Sequence, residues 1–418
     1  MKTAQELDAL DPLGHLRTAF QVPEGMVYLD GNSLGPMPQT APDAMSRLLH
    51  NEWGQELIGG WNTSDWIGLP ERLGARIAKV IGASGIEVMA CDSISINLFK
   101  LLVAALELNA PRKKVVIERG QFPTDGYVTH GLSNLLGEDR ISIASVDRSD
   151  VAAAIDDETA VLLLSHVHYV TSEKYDLADW TERAHAVGAL VIWDLAHSAG
   201  VEPLKVSDAK VDFATGCTYK FLCGGPGGPS FVYVAERWLS QAKQPIWGWM
   251  GHRSPFEFSE GCDGANGIGQ FLTGTPSIIA MAAAFEALSL FQHLDFETVR
   301  RKSQSLSQRL IDGVAAKKLP VQLASPEEAS MRGSHVSFRH PDAYSVMQAL
   351  IEAGTVDDFR APDVLRFGIH PLVNSYLDID RCLETLHDVL ADQRFKDCLL
   401  YTSPSPRDLS TSRMPSSA

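Results

Sequence analysis

Two apolar runs in this 418-residue chain end in groups able to do chemistry. The first, Ala189 to Trp193, finishes in a carboxylate, Asp194, with His197 three positions later. The second, VDFATG (211–216), leads through CTYK to Lys220 and on into the loop GGPGGP (224–229). A charge set against a hydrophobic strand is costly unless a partner meets it. A lysine carried off a strand into so crowded a loop is not placed like a surface residue, and the glycines suggest backbone passing close to something flat. Desolvation or a neighbouring cation makes such a lysine a nucleophile, and its commonest aldehyde target is pyridoxal 5′-phosphate (PLP). The PLP pyridinium nitrogen needs a carboxylate to remain protonated, and Asp194 supplies it; His197 is then expected near the ring or the phosphate. Taken singly, a strand-end Asp is more often a helix N-cap and a Lys a solvated group. The ordered pair carries the reading.

Other segments fit around that pair. DSISINL (92–98) opens a long apolar helix, where Ser93, Ser95 and their backbone N–H groups can bind phosphate or simply cap. FPTD (122–125) follows a strand and offers Phe122 to lie on a ring and Asp125 as a nearby carboxylate. His166 and His168 alternate on an expected strand and could face one metal, but no third ligand is evident, so they read as core or surface histidines. GGPGGP lacks the GK[ST] ending of a phosphate loop and opens no GxGxxG helix, which discounts nucleotide binding.

The elements that must hold these residues are strands alternating with helices. KKVVIERG, RISIASV, TAVLLLSHVHY, ALVIWDLAHSAG, VDFATGCTYK and PSFVYVAE, between about residues 85 and 235, predict an α/β domain with a largely parallel sheet. DLADWTERAHAVG spaces Leu177, Trp180, Ala184 and Val187 as a helix stopped by Gly188. Ligands of such sheets sit beyond the carboxyl ends of the strands. From about residue 275 helical patterns dominate, with strands at GSHVSFRH and LRFGIHP and helices around YSVMQALIEAG and DRCLETLHDVLADQ. That predicts a smaller α+β domain. The expected division is an N-terminal segment 1–50 packing with the small domain, a large domain 51–280, a small domain 281–395 and a disordered tail 396–418. The tail is Ser/Pro-rich and resembles translated sequencing-adapter read-through, so a native C-terminal helix would be cut short or replaced.

Composition excludes several partners. Thirty-six basic against 52 acidic residues leave a net charge of -16, a poor match to nucleic acid or anionic membrane. The acidic N-terminus lacks a signal-peptide pattern and no run of uncharged apolar residues is long enough to span a bilayer, so a soluble cytoplasmic protein is expected. Six cysteines without CxxC pairs indicate neither a disulfide framework nor a zinc site.

YLDGNSLGP (28–36), SISINL (93–98), FPTD, WDLAHSAG (193–200), TYK (218–220), WGWMGH (247–252) and RFGIHPLVNS (366–375) together resemble the kynureninases, from about residue 8 to about 395. The resemblance implies a fold-type I PLP enzyme with a mostly parallel seven-stranded sheet, a homodimer with the active site at the subunit interface, and hydrolysis of L-kynurenine to anthranilate and L-alanine. It makes Lys220 the Schiff-base lysine and Asp194 the pyridinium partner. Ile94, Ser95 and Tyr219 hold the phosphate, joined by Trp249 of the partner subunit. Phe122 stacks on the ring, and Asp125, Ser165 and His197 complete the cofactor shell. Arg366 pairs with the substrate carboxylate; Trp61, His252, Gly274 and Thr275 meet its aryl end, with Thr275 also beside the cofactor. Animal members that prefer the 3-hydroxylated substrate carry an Asn-containing stretch in place of TGTP, so Thr275 points to plain kynurenine. In the implied mechanism Lys220 takes the α proton, water adds to the γ-carbonyl and Tyr219 is the proton donor. Two rivals remain: a cysteine desulfurase or selenocysteine lyase, which carries a His before the lysine where this chain has Tyr219 and uses a loop cysteine unlike Cys382 or Cys398, and a catalytically silent PLP-binding protein.

Overall fold

The computed structural model describes residues 2–396, and the tail expected over 396–418 lies, from 397 on, outside the described residues. The six expected strands are present, joined by a short seventh at the sheet edge. In chain order they are β1 (Val88–Ala90), β2 (Lys114–Glu118), β3 (Ser142–Val146), β4 (Thr159–Ser165), β5 (Leu190–Asp194), β6 (Phe213–Cys217) and β7 (Ser230–Val234). Their order across the sheet is β1-β7-β6-β5-β4-β2-β3, and only β7 runs against its neighbours.

Strands buried on both faces read as continuous apolar runs. Val115 and Ile117, Val161 and Leu163, Leu190 and Ile192 face one core with Leu98, Leu101 and Leu102 of helix α2 (Ile94–Leu108). Val116, Leu162, Leu164, Val191 and Trp193 face the other, with Leu73 and Ile77 of α1 (Leu69–Ile81). Helix α3 (Pro123–Leu136) starts with Pro123 at a position where proline's missing N–H costs nothing. Helix α4 (Leu177–Ala186) is capped by Asp176, which accepts from the Asp179 N–H at 2.9 Å, and stops as expected before Gly188 at φ +79°.

Helix α5 (Ile278–Leu288) still packs into the core of the large sheet, with Met281, Ala284 and Leu288 beside Leu73 and Ile77, and after it α6 (Phe296–Ala316), α7 (Ala343–Glu352) and α8 (Tyr376–Asp392) accompany a four-stranded sheet. Its strands are β8 (Gln322–Leu323), β9 (His335–Arg339), β10 (Asp358–Arg360) and β11 (Val364–Gly368), in the order β8-β9-β11-β10 and all antiparallel. Ala4, Val27 and Leu29 are buried in the same apolar cluster as Leu306, Val336, Leu365 and Leu386. Val27–Tyr28 also pairs in parallel with Thr355–Val356. Gly368 is required where these segments cross, because a Cβ there would lie 1.6 Å from Asn32 Oδ1. No single helix among the described residues is long and apolar enough to cross a membrane; the one helix pair that passes by length and composition, Ile278–Phe291 with Phe296–Ala316, is bent by 89°.

Candidate active site

The carboxyl ends of adjacent strands deliver the chemistry. Ser165 ends β4, Asp194 ends β5 in register with it, and Tyr219 and Lys220 follow β6. Phe122 and Asp125 come from the start of α3, which follows β2. Lys220 is 7% exposed, and its Nζ lies 3.4 Å from His197 Nε2 and 5.3 Å from the centre of the Phe122 ring. Burial, then the positive charges of Arg366 and Arg360 against the opposing pull of Cys217 and Asp194, lowers the Lys220 ammonium below the ordinary lysine range. His197 is pushed well below its usual value, first by burial and then by Lys220 and Arg366, so it is neutral.

Two carboxyl groups are buried together under this lysine. Asp125 is fully buried, and its Oδ2 accepts from Ser165 Oγ at 2.8 Å and from Gln121 Nε2 at 3.0 Å. Asp194 Oδ1 accepts from the Ala196 N–H at 2.8 Å. Burial and then the Asp194 charge raise Asp125 well above the carboxylate range; burial raises Asp194 too, while Lys220 and the Asp125 carboxyl pull it back. Asp125 therefore keeps a proton and Asp194 the charge. Asp125 Oδ1 is buried and accepts no hydrogen bond. Asp194 receives one backbone N–H, fewer donors than a buried carboxylate needs, so the site suits a cationic N–H ring such as a pyridinium.

At the start of α2, Ser93 is the N-cap but makes no capping hydrogen bond, so the first-turn N–H groups beside Ile94 and Ser95 stay available to an anion. Gly274 and Thr275 are exposed and line a cavity of about 260 Å³ with Asp92, just before that helix. Asp92 has φ +46° and pairs with Lys100, a fully buried cation that also donates to the Phe271 carbonyl at 2.6 Å. Thr273 Oγ1 donates to Asp92 Oδ1 at 3.0 Å.

Arg366 on β11 is 1% exposed and bridges the small sheet to the segment after β4. It pairs with Asp358 on β10, from Nε at 2.8 Å and from Nη2, and donates to the Tyr169 carbonyl at 2.6 Å and Ser33 Oγ at 3.1 Å. Burial alone would raise Asp358, but Arg366 brings it down to about 2. Burial and then the Asp358 charge raise the neighbouring Asp30 to about 7. Sequence reasoning quoted Asp30 and Ser33 within a motif without a role and missed Asp358, Arg360, Tyr169, Gln121 and Lys100.

Not every expected residue joins this cluster. Trp61 stacks edge-on with Trp66 at 6.0 Å, Trp249 stacks with Phe258 at 6.3 Å, and the His252 ring accepts from the Ser254 N–H at 3.0 Å. Trp61 sits in the short helix Gly60–Thr63 and Trp249 in the helical turn Trp249–Gly251, and among the described residues neither these nor His252, Gly274 and Thr275 have a hydrogen bond to Lys220, Asp194 or Arg366. Two other expectations are corrected. β4 ends at Ser165, so His166 and His168 do not share a strand; His166 Nδ1 bonds Ser198 Oγ at 2.7 Å and His168 Nδ1 meets the Thr171 N–H at 3.2 Å. The GGPGGP glycines answer Thr218: a Cβ on Gly224 or Gly228 would sit 2.8 or 2.6 Å from its Oγ1. The segment that passes the lysine is Gly35, whose N–H bonds the Tyr219 carbonyl at 2.8 Å and whose added Cβ would lie 2.2 Å from the Lys220 carbonyl oxygen.

A buried strand-end lysine over a carboxylate, in a sheet with this strand order, places the chain in the fold-type I class of PLP-dependent enzymes. Solved structures share the fold. The Escherichia coli cysteine desulfurase CsdA superposes with a TM-score of 0.76 at 17% identity, covering 93% of this chain and 99% of that one. A C-DES mutant with glycine covalently linked to its PLP cofactor gives 0.75 at 20% identity, covering 89% and 99%. Sequence goes further. Residues 299–386 match the kynureninase C-terminal domain. The kynureninase of Burkholderia mallei strain SAVP1 is 43% identical over 95% of this chain and 97% of its own length, and that of Deinococcus radiodurans is 43% identical over 92% and 95%. The chain belongs to the kynureninase family.

Proposed function

We propose that the protein cleaves the Cβ–Cγ bond of L-kynurenine by hydrolysis, giving anthranilate and L-alanine, with 3-hydroxykynurenine the poorer substrate. The observation that carries this reading is the buried group of Lys220, His197, Asp194 and Asp125 in a chain of this family. Lys220 would hold PLP, with Asp194 at its ring nitrogen, Phe122 on its face and the α2 N-terminus with Ile94 and Ser95 at its phosphate. When bound, PLP supplies an electron sink next to the substrate carbons that lose their bonds.

The residues of the chain do the rest. With its ammonium lowered by burial, Lys220 is a base for the proton on the substrate Cα. Asp194, kept charged by the proton on Asp125, holds the opposite end of the ring system positive. Arg366 holds the α-carboxylate. Water adds to the γ-carbonyl; its oxygen leaves in the anthranilate carboxylate, and Tyr219 returns a proton to Cβ. Trp61, His252, Gly274 and Thr275 would enclose the aryl end.

The same reading makes the active unit a homodimer in the cytoplasm, divided as residues 1–50, 51–280 and 281–395. Trp249 would act across the interface. Trp53, Ile58, Trp247 and Phe258 are 54, 81, 51 and 76% exposed, apolar surface of the kind a subunit interface covers. Sulfur chemistry finds no support at Cys382, which is fully buried in α8. Steady-state rates with kynurenine and 3-hydroxykynurenine test the substrate choice, and an unchanged rate in Tyr219→Phe would remove that residue from the mechanism.

A further inference from the structure

Arg366 is nearly saturated by its own neighbours. Of its five N–H groups, Nε–H and one on Nη2 meet Asp358, the second on Nη2 meets Ser33, and one on Nη1 meets the Tyr169 carbonyl. One N–H remains, whereas a carboxylate held by a guanidinium fork takes two. A second donor has to come from elsewhere.

The small sheet places one. Asp358 lies opposite Arg366 in the antiparallel register of β10 and β11, and Arg360 is two residues further along β10, on the same face. Ser337 on β9, also opposite Arg366, donates from this face to the Val170 carbonyl, next to the Tyr169 carbonyl that Arg366 meets, so the face looks onto the large domain. Arg360 Nη2 pairs with Asp358 at 2.9 Å and Nη1 donates to the Phe359 carbonyl at 2.9 Å. Its three other N–H groups make no hydrogen bond among the described residues. The side chain is 31% exposed, against 1% for Arg366, so it stands on the open side of the pair. Asp358 holds two guanidinium groups, and the neighbouring Asp30, raised to about 7, is protonated in a good part of the molecules near neutral pH, so the group keeps a net positive charge. Its reach extends to the lysine, since the Arg360 charge is among those that lower Lys220.

We propose that Arg360 is a second anchor for the substrate α-carboxylate: Asp358 holds Arg360 and Arg366 side by side, and the two share the incoming group. The inference rests on the kynurenine-cleaving reading and adds to it the donor that Arg366 cannot supply. Asp358 is then a positioning residue and Arg360 a contact.

The test compares PLP-loaded wild type, Arg360→Gln and Arg360→Lys for turnover of L-kynurenine and for inhibition by two fragments. L-alanine presents the α-carboxylate alone; o-aminoacetophenone presents the aryl ketone alone. In Arg360→Gln, KM for L-kynurenine and Ki for L-alanine are expected to rise together by roughly tenfold or more, the size of one lost charge-assisted hydrogen bond, while kcat changes much less. Ki for o-aminoacetophenone stays where it was. Arg360→Lys, which keeps the charge but not the fork, falls between and decides the matter if the Gln variant does not fold. Equal weakening of both fragments, or none of either, overturns the proposal, because a merely structural arginine would not tell the two ends apart. A wild type that leaves L-kynurenine intact sinks the functional reading first, and that failure is seen without any variant.

Discussion

Asp125 and Asp194 bury their carboxyl groups against each other, one in the first turn of α3 and the other at the last residue of β5, and only the proton on Asp125 makes that arrangement tolerable. Two buried like charges at such range cannot both persist. Asp194 is thus charged because its neighbour is not.

Asp125→Asn keeps a neutral side chain that can donate to Asp194, so PLP affinity, followed by cofactor absorbance, should fall by less than about tenfold. Asp125→Ala removes the donor and leaves Ser165 and Gln121 unpaired as well; the cost of such orphaned buried groups is about 1–3 kcal/mol each. Equal affinities in the two variants would mean that the Asp125 proton does not serve Asp194.

Asp30 gives the fold a pH signature. Its carboxyl sits at about 7 in the folded protein, raised by burial and by Asp358, against about 4 in an unfolded chain. A raised carboxyl contributes stability fully below the unfolded value and loses it as pH rises through the folded one. Wild type should therefore lose stability relative to Asp30→Asn between about pH 4 and pH 7, with no further divergence above. Thermal melts of both proteins across that range check it, and parallel curves would show that Asp30 ionises normally.

Asp358→Ala leaves Arg366, which is 1% exposed, without its bidentate partner. Breaking a buried pair from one side costs about 3–5 kcal/mol. Denaturant unfolding is expected to show a loss of that order, together with a raised KM. A variant as stable as wild type would mean that Ser33 and the Tyr169 carbonyl suffice to hold the guanidinium.

Lys100 is the corresponding buried cation on the far side of the site. It ties Asp92, and through Asp92 the Thr273 hydroxyl, to the loop that carries Gly274 and Thr275. Lys100→Met should lower stability by a few kcal/mol. It should also shift the kynurenine to 3-hydroxykynurenine rate ratio, because Thr275 is no longer held. A lost melting temperature with an unchanged ratio would leave Lys100 a purely structural residue.

The sequence made the lysine and its carboxylate legible because both stand where apolar strands stop, a place where a charge needs a reason. The helices were legible from spacing, as with Leu177, Trp180 and Ala184 in α4. What stayed hidden lies in short or mixed segments. Val88–Ala90 is too short to show a period, and Asp358–Arg360 lies in VDDFRAP, which reads as a polar turn although its residues pair with β11. Lys100 is masked by the apolar helix around it, since periodicity says that a position is inward but not that it is a cation with three oxygen partners. The residues proposed for the aryl end were nameable only through family resemblance, because Trp61, His252 and Thr275 come from short segments far apart in sequence with no shared period.

The most direct measurement of the central claim is fluorescence detection of anthranilate after PLP-loaded protein is mixed with L-kynurenine, with Lys220→Ala alongside. Anthranilate from the wild type, equimolar with L-alanine and absent in the variant, is the expected result. A wild type that binds PLP yet forms no anthranilate, or that releases sulfide from cysteine instead, would contradict it.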